Sequence, residues 1–293
     1  MHSSPSRTAI TFKAYRYFVE KFKYITALFQ IENSRFAYFQ AVLRYSFLRQ
    51  IRFPATTIRL HGAAFAAREN SMDIAHLSSW FEPETTRFLL QLAPCRLVDI
   101  GAHVGRYPVI LARQGCEVVC FEPFNENYRQ LLANIALNGL GSQIIAWNLG
   151  CSDVSGIGDL FYSSGNEGKP SFIRKDGATV AEIHEVKRLD EICSSMKSID
   201  VIKIDVEGLE LKVLQGALEI LQHKQPRLIV EIWTDEEERI ITHFLAQQGY
   251  AVEAVLDGRN FVFGKPSAGG KLLMSADNPA PRWSFGREAK ILG

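Results

Sequence analysis

The sequence predicts an α/β fold, a mostly parallel sheet with helices on both faces, and three observations carry that prediction. From Arg96 onward, short strand-like runs alternate with segments of helical period. The strand-like runs, Leu228-Ile-Val-Glu-Ile-Trp233 among them, are nearly all apolar, as strands buried on both faces must be. The first of these runs ends in an acid and a glycine turn that opens onto a helix. At roughly 150 residues per domain, the 293 residues allow one large domain, or one domain with an extension.

Apolar residues at 18, 22, 25 and 29, and again at 36, 39, 43 and 47, fall on one face of a helix, so residues 10–52 read as helical. Asn33-Ser34 is a plausible break and Pro54 closes the segment. Gly62-Ala-Ala-Phe-Ala-Ala-Arg fits a short strand or a helix equally well. Glu82–Leu92 reads as helix, Arg96–Ile100 as strand, Gly105–Gln114 as helix, Glu117–Phe121 as strand, Asn125–Asn138 as helix and Gln143–Asn148 as strand. Residues 153–190 are a Gly/Ser-rich excursion expected to contain a hairpin. Strand Ile199–Ile204, helix Leu209–Gln222, strand Arg227–Trp233 and helix Asp235–Gln248 follow. Tyr250–Leu256 and Asn260–Gly264 flank Asp257-Gly258, a hairpin signal that adds an antiparallel strand at one sheet edge. The expected division is a helical, basic and aromatic extension at 1–80, a main domain at 81–266 and a loop-like tail at 267–293.

Composition narrows the function classes. Hydrophobic residues are 47% and charged residues 22%, ordinary for a globular chain, and the net charge of +1 gives no reason to expect a nucleic-acid partner. Charge is uneven, however. Residues 1–60 carry ten Lys/Arg against Glu20 and Glu32, and the rest is mildly acidic. Phe12, Tyr15, Tyr17, Phe18, Phe22 and Tyr24 interleave with those basic residues. Such a segment suits a helical cap on the domain or on a second subunit of an oligomer; the rival is peripheral contact with an anionic membrane surface. The five cysteines form no CxxC pair, which fits a reduced, cytoplasmic protein. No apolar run reaches the ~18 residues of a membrane span. The Ser/Arg-rich start lacks a secretory h-region, and an organellar targeting peptide is the rival reading.

Four segments carry chemistry. In Leu97-Val-Asp-Ile-Gly-Ala-His-Val-Gly105, Gly101 permits a sharp turn, Gly105 permits close helix–strand packing, and Pro108 suits a first helical turn. A dinucleotide site wants G-x-G-x-x-G, and here the middle position is His103. Asp99 just before the turn would repel a pyrophosphate and attract an ammonium or sulfonium. An aminoacyl nucleoside is favoured over a dinucleotide. Glu122 ends the next strand, where an acid accepts hydrogen bonds from ribose hydroxyls. Ser152 and Asp153 follow the third strand, placed to meet an adenine amino group or simply to make an Asx turn. In Ile202-Lys-Ile-Asp-Val-Glu-Gly208, Lys203 and Asp205 share a strand face. Asp205 and Glu207 stand at its carboxyl end, able to bind an amino group, orient a hydroxyl or hold a divalent ion. Glu231 is a similar acid at the end of the following strand, in a setting that demands a partner.

The set Asp99-Ile-Gly-Ala-His-Val-Gly105, Phe121-Glu-Pro123, Lys203-Ile-Asp-Val-Glu-Gly208 with Gly216-Ala217, and Val230-Glu-Ile232 resembles the FkbM-type methyltransferases over about residues 95–265. These are a branch of the class I enzymes that use S-adenosylmethionine. The resemblance implies a class I methyltransferase-like, Rossmann-like sheet of seven strands. It implies cofactor contacts at Asp99, Gly101, Gly105 and Glu122, with Asp205 and Glu207 as the acids nearest the transferred methyl, and it transfers no catalytic base. From their place in these segments, Ala102, His103, Ser152, Asp153 and Asp205 are further candidate cofactor contacts, and Asp205 and Glu207 are the first candidates for the catalytic base. His103 departs from the family's usual Asn; both can hydrogen-bond. Its known members mostly methylate hydroxyls of sugars, glycolipids and secondary metabolites, so a small-molecule hydroxyl is the expected acceptor. His184 and His103 are further candidates for a base. A divalent metal on Asp205 and Glu231 has no dedicated ligand cluster behind it. The rivals are an NAD-linked oxidoreductase, which the missing glycine and Asp99 speak against, and a methyltransferase fold serving only as a binding module.

Overall fold

The computed structural model describes residues 27–32, 39–40, 53–162, 170–173 and 179–266. Most of the helix expected over 10–52, its break at Asn33-Ser34 and the tail after 266 lie outside these residues. Within the described part of that segment, Ala27–Gln30 forms a 3-10 turn and Ile31 bridges to Ile58. No helix among the described residues is long and apolar enough to cross a membrane.

Residues 53–80 begin with a hairpin, β1 (Thr56–Leu60) and β2 (Ala63–Ala67), turning at His61-Gly62. This settles the ambiguous Ala-rich run as strand. Alternate residues Ala63, Phe65 and Ala67 are buried, which is the period-2 pattern of a strand. Short α1 (Asp73–His76) and α2 (Pro83–Leu92) follow. The main unit then runs β3 (Arg96–Ile100), α3 (Arg106–Ala112), β4 (Glu117–Phe121), α4 (Asn125–Leu137) and β5 (Ile144–Trp147). The excursion is β6 (Gly150–Cys151), β7 (Gly156–Tyr162), β8 (Thr179–Lys187) and α5 (Leu189–Cys193). The chain continues through β9 (Val201–Ile204), α6 (Glu210–Gln215), α7 (Leu218–His223), β10 (Arg227–Glu231), α8 (Asp235–Gln247), β11 (Ala251–Leu256) and β12 (Asn260–Gly264).

Seven strands form the central sheet in the order β11-β12-β10-β9-β3-β4-β5. The pairs from β10 through β5 are parallel, and β12 is antiparallel to both neighbours. The order reverses at β3, which puts the crevice at the carboxyl ends of β3 and β9. This is the mostly parallel, seven-stranded, class I methyltransferase-like arrangement that the sequence predicts. The closing hairpin adds both its strands to one edge. The expected hairpin within 153–190 is β7–β8, in a separate small sheet with β6.

Strand alternation splits the apolar side chains between two layers. Leu97, Val118 and Cys120 pack with α3, α4 and the β1–β2 hairpin; Val98, Ile100 and Phe121 pack with the α5–α8 side. Two asparagines, Asn134 on α4 and Asn138 at its C-cap, tie the hairpin down. Asn134 Oδ1 accepts from Ala66 N at 2.8 Å, and Asn138 Oδ1 accepts from Ala64 N at 2.9 Å. The Asn134 amide also donates to Val104 O at 2.8 Å, which anchors the glycine turn after β3 to the same helix.

The single helix expected over Leu209–Gln222 is two, α6 and α7, parted at Gly216-Ala217. Asp190 stands at the break: its N–H donates to Gly216 O at 3.0 Å, and its carboxylate accepts from Glu219 N and Ile220 N in the first turn of α7. The backbone is also closely approached there. A Cβ on Gly216 would sit 2.0 Å from the backbone oxygen of Ser152. Gly216→Ala should therefore destabilise the protein by about 1–3 kcal/mol, the usual range for overpacking. Gly141→Ala, where the added methyl meets nothing within 4 Å, should stay within about 0.5 kcal/mol. Urea unfolding midpoints of the two variants check this.

Candidate active site at the carboxyl edge of the sheet

The glycine turn is held from both sides. Gly101 N and Ala102 N donate to Phe121 O at 2.9 and 3.0 Å. Gly101 has φ +86°, and a Cβ there would lie 1.8 Å from Asp205 O, so only glycine lets β3 and β9 end side by side. Gly105, at φ +89°, caps α3, where a Cβ would meet Leu131 at 2.6 Å. His103 also has a positive φ, +52°. Its backbone N–H donates to Glu122 Oε2 at 2.8 Å, while Phe124 N donates to Glu122 Oε1 at 3.0 Å. Burial raises the Glu122 carboxyl to about 7 against those donors and Asn127. Glu122 thus stands ready in the cavity wall with its orientation fixed.

A cluster of charge lies beyond the turn. Lys203 is 2% exposed at the centre of β9, level with Asp99 on β3 and Ile229 on β10. Its ammonium contacts Asp205 Oδ2 at 3.1 Å and lies 5.1 Å over the Tyr107 ring. The surrounding carboxylates hold it well above the usual lysine range despite its burial. Asp99 is also buried, and neither of its oxygens has a hydrogen-bond partner. Burial lifts it to about 6, with Lys203 opposing and Asp205 and Glu82 adding.

Arg259, at the tip of the β11–β12 turn, pairs with Glu231 at 2.8 Å and with Glu82 at 3.0 Å, and its guanidinium stacks 4.5 Å over Trp233. Glu231 also accepts from Trp233 Nε1 at 2.9 Å. Burial and the adjoining Asp205 push Glu231 up to about 9, although Arg259 and Lys203 oppose. Glu82 accepts from Tyr107 Oη at 2.5 Å. Burial favours its neutral form, but Lys203, Tyr107 and Arg259 prevail and hold it below the usual range. Carboxylate oxygens of Glu82, Asp205 and Glu231 lie within 4.8 Å of one another, a spacing that could hold a cation.

One cavity collects most of the residues the sequence singles out. Ala102, His103, Glu122, Asp205, Glu207 and Glu231 line it, as does Gly101. Asp99 lies beneath, against Lys203. Gly105 acts behind the turn through packing. Ser152 and Asp153 are bonded to each other at 2.8 Å and are not among the lining residues, which reach only Cys151 on that loop. Glu207 is half-buried with φ +56°, and its carbonyl accepts from Ser171 Oγ at 3.0 Å. His184 is bonded to Glu182 at 2.6 Å on β8, off the cavity. Burial and nearby His76 drive His103 down to about 3, so its ring is neutral at neutral pH.

Residues not foreseen complete the site. The Arg106 guanidinium donates to the carbonyls of His76, Ser78 and Phe81 and to Thr86 Oγ1, clamping residues 76–81 over the turn. Glu210 accepts from Val206 N and Gly208 N, both at 3.1 Å, and so shapes the turn after β9. Glu82, Tyr107 and Arg259 come from distant parts of the chain. The one usable signal is topological: β12 runs antiparallel, so its preceding turn returns to the carboxyl edge of β10.

A family model described as the methyltransferase FkbM domain matches residues 99–252, more than half of the chain. Methyltransferase sdnD of Sordaria araneosa is 28% identical over 170 residues, covering 47% of this chain and 66% of that protein. The chain thus spans just under two thirds of that relative's length. Hexuronic acid methyltransferase AglP of Haloferax volcanii is 28% identical over 195 residues, covering 63% of this chain and 77% of that one. Among solved structures, methyltransferase FkbM of Methylobacillus flagellatus aligns with a TM-score of 0.42 at 18% identity, covering 58% of this chain and 42% of that one.

The raised Glu231 has a consequence for stability. A carboxyl with a folded pKa near 9 binds more protons folded than unfolded, so stability falls as pH rises toward that value. Raising pH from about 7 to 9 should cost the protein roughly 2 kcal/mol through this group. Glu231→Gln should flatten that slope. Urea unfolding across the pH series measures it, and equal slopes in both proteins would refute the assignment.

Proposed function

The chain belongs to the FkbM methyltransferase domain family, and on that premise we propose that it moves a methyl group from S-adenosylmethionine to a hydroxyl of a small molecule, a sugar above all. The observation that carries this reading is the charge at the crevice. Four acids, Asp99, Asp205, Glu82 and Glu231, surround two cations, Lys203 and Arg259, and burial makes Asp99 and Glu231 hold their protons. A buried surplus of acids favours a cationic ligand, which lets them ionise. A dinucleotide pyrophosphate would add to the surplus; a ligand with an ammonium and a sulfonium relieves it.

The residues present fit that ligand. Asp99, beneath the cavity and outside its lining, adds its charge there with both oxygens unpartnered. Glu122, fixed by His103 N and Phe124 N, keeps lone pairs for ribose hydroxyls. The end of β9 at Asp205 abuts the turn, within reach of an amino group. When bound, S-adenosylmethionine supplies an electrophilic methyl group on a positively charged sulfur.

Methyl transfer is an in-line displacement, so positioning provides much of the rate. The protein's chemical task is to take the proton of the attacking hydroxyl. Asp205 and Glu231 are adjoining carboxyls that line the cavity. An Asp205 oxygen takes that proton. Lys203 holds Asp205 in place. Glu207 stands further along the same turn, beside the acceptor side.

A carbohydrate acceptor is supported by the wall facing these acids. Trp233 is 51% exposed, lines the cavity and carries Arg259 on its ring, an aromatic surface of the kind that suits a sugar. Pro170, Ser171 and Phe172 of the excursion also line the cavity. The printed name of the Haloferax volcanii relative, a hexuronic acid methyltransferase, agrees with such an acceptor.

With S-adenosylmethionine and a panel of sugars and uronic acids, S-adenosylhomocysteine and an O-methylated sugar should appear, detected by mass spectrometry. Asp205→Asn should lower kcat by about 10²–10⁴-fold, the usual contribution of a general base. A variant with unchanged kcat would exclude Asp205 as that base.

A further inference from the structure

Cys95 and Cys116 each immediately precede a strand of the sheet, β3 and β4. Arg96 pairs with Glu117 in parallel register, so the two cysteines stand level one residue earlier. Glu117 N donates to Cys95 O at 3.1 Å, which extends the pairing to them. Neighbouring strands lie about 4.8 Å apart, inside the roughly 4.4–6.8 Å Cα separation that a disulfide accepts. The two sulfurs are already 3.3 Å apart, and Cys95 N points at Cys116 Sγ at 3.2 Å. Cys95 is 7% exposed and Cys116 is fully buried.

The pair is chemically unlike the other three cysteines. Hydrogen bonds from the Cys95 thiol and backbone N–H hold Cys116 below the usual thiol range, against the burial that opposes them. Burial raises Cys120, Cys151 and Cys193 and keeps them as thiols. Nothing in methyl transfer uses Cys95 or Cys116, which lie at the opposite end of β3 from Asp99. The segment between them is β3, the glycine turn and α3, the unit that frames the cavity.

We propose that Cys95 and Cys116 are an oxidation site, a dithiol that hydrogen peroxide converts to a disulfide closing a covalent loop around the β3–α3 unit. Either sulfur can hold the shared proton. The ionised sulfur attacks a peroxide oxygen: an S–O bond forms, the O–O bond breaks, and hydroxide leaves and regains a proton from solvent. The neighbouring thiol then attacks the sulfenic sulfur: the S–S bond forms, the S–O bond breaks, and hydroxide departs with the thiol proton as water. The two sulfurs together lose two electrons, and peroxide ends as two waters. The bridge limits the unfolded chain, so the oxidised protein gains thermal stability.

The test treats the full chain with hydrogen peroxide, alkylates the remaining thiols after denaturation, and maps peptides by mass spectrometry. A Cys95–Cys116 bridge is expected, with Cys120, Cys151 and Cys193 still alkylated, dithiothreitol reversing the change and a higher Tm in the oxidised form. Cys116→Ser, nearly isosteric, should slow peroxide consumption by the chain by at least tenfold, and Cys95 should stay a thiol. Retention of all five thiols, a bridge between other cysteines, or stable sulfinic acid on Cys116 without a bridge would overturn the proposal.

Discussion

The ammonium of Lys203, buried in the middle of the sheet, is the interaction on which the carboxyl edge of the molecule depends. A lysine without water must be paired, because the cost of removing its hydration is several kcal/mol. Asp205 contacts it directly, Asp99 stands level with it on β3, and the Tyr107 ring covers it. Tyr107 in turn donates to Glu82, and Glu82 with Glu231 holds Arg259. Five segments far apart in the chain are thus tied to one charge: the start of α2, the end of β3, α3, the end of β9, and the β10–β12 edge. Arg106 and Asn134 then hold the loops around that cluster.

The cluster holds more acids than its two cations can balance, and this imbalance shapes the titration of the site. Asp99, Glu122 and Glu231 all hold their protons more tightly than free carboxyls. Glu82, with Tyr107 and Arg259 on it, is the exception. Such a site stores a preference for positive charge. In the methyltransferase reading, that preference selects the donor, and the same acids serve as proton acceptors. Selection and catalysis then share one origin.

The sheet was legible because its strands are short, apolar and separated by helices, and Gly101, Gly105 and the Asp257-Gly258 turn mark sharp bends. Asp99, Glu122, Lys203, Asp205 and Glu231 were legible because acids and a lysine at the ends of apolar strands need a reason to be there. Glu82, Tyr107 and Arg259 were not. Glu82 reads as the start of a helix, Tyr107 as one more core aromatic, and Arg259 as a turn residue; only tertiary contact makes them partners. The β1–β2 hairpin was ambiguous because alanine runs carry little period. The split at Gly216 coincides with bonds to Asp190, far back in the chain on α5, which no local pattern records.

Proton release on donor binding tests the central claim most directly. Calorimetry of S-adenosylmethionine binding at neutral pH, in buffers of different ionisation enthalpy, reads the protons exchanged. A positively charged ligand entering a site of proton-holding carboxyls must expel protons, so the observed enthalpy should vary with the buffer in the sense of proton release. An enthalpy independent of buffer, or proton uptake, would contradict the account.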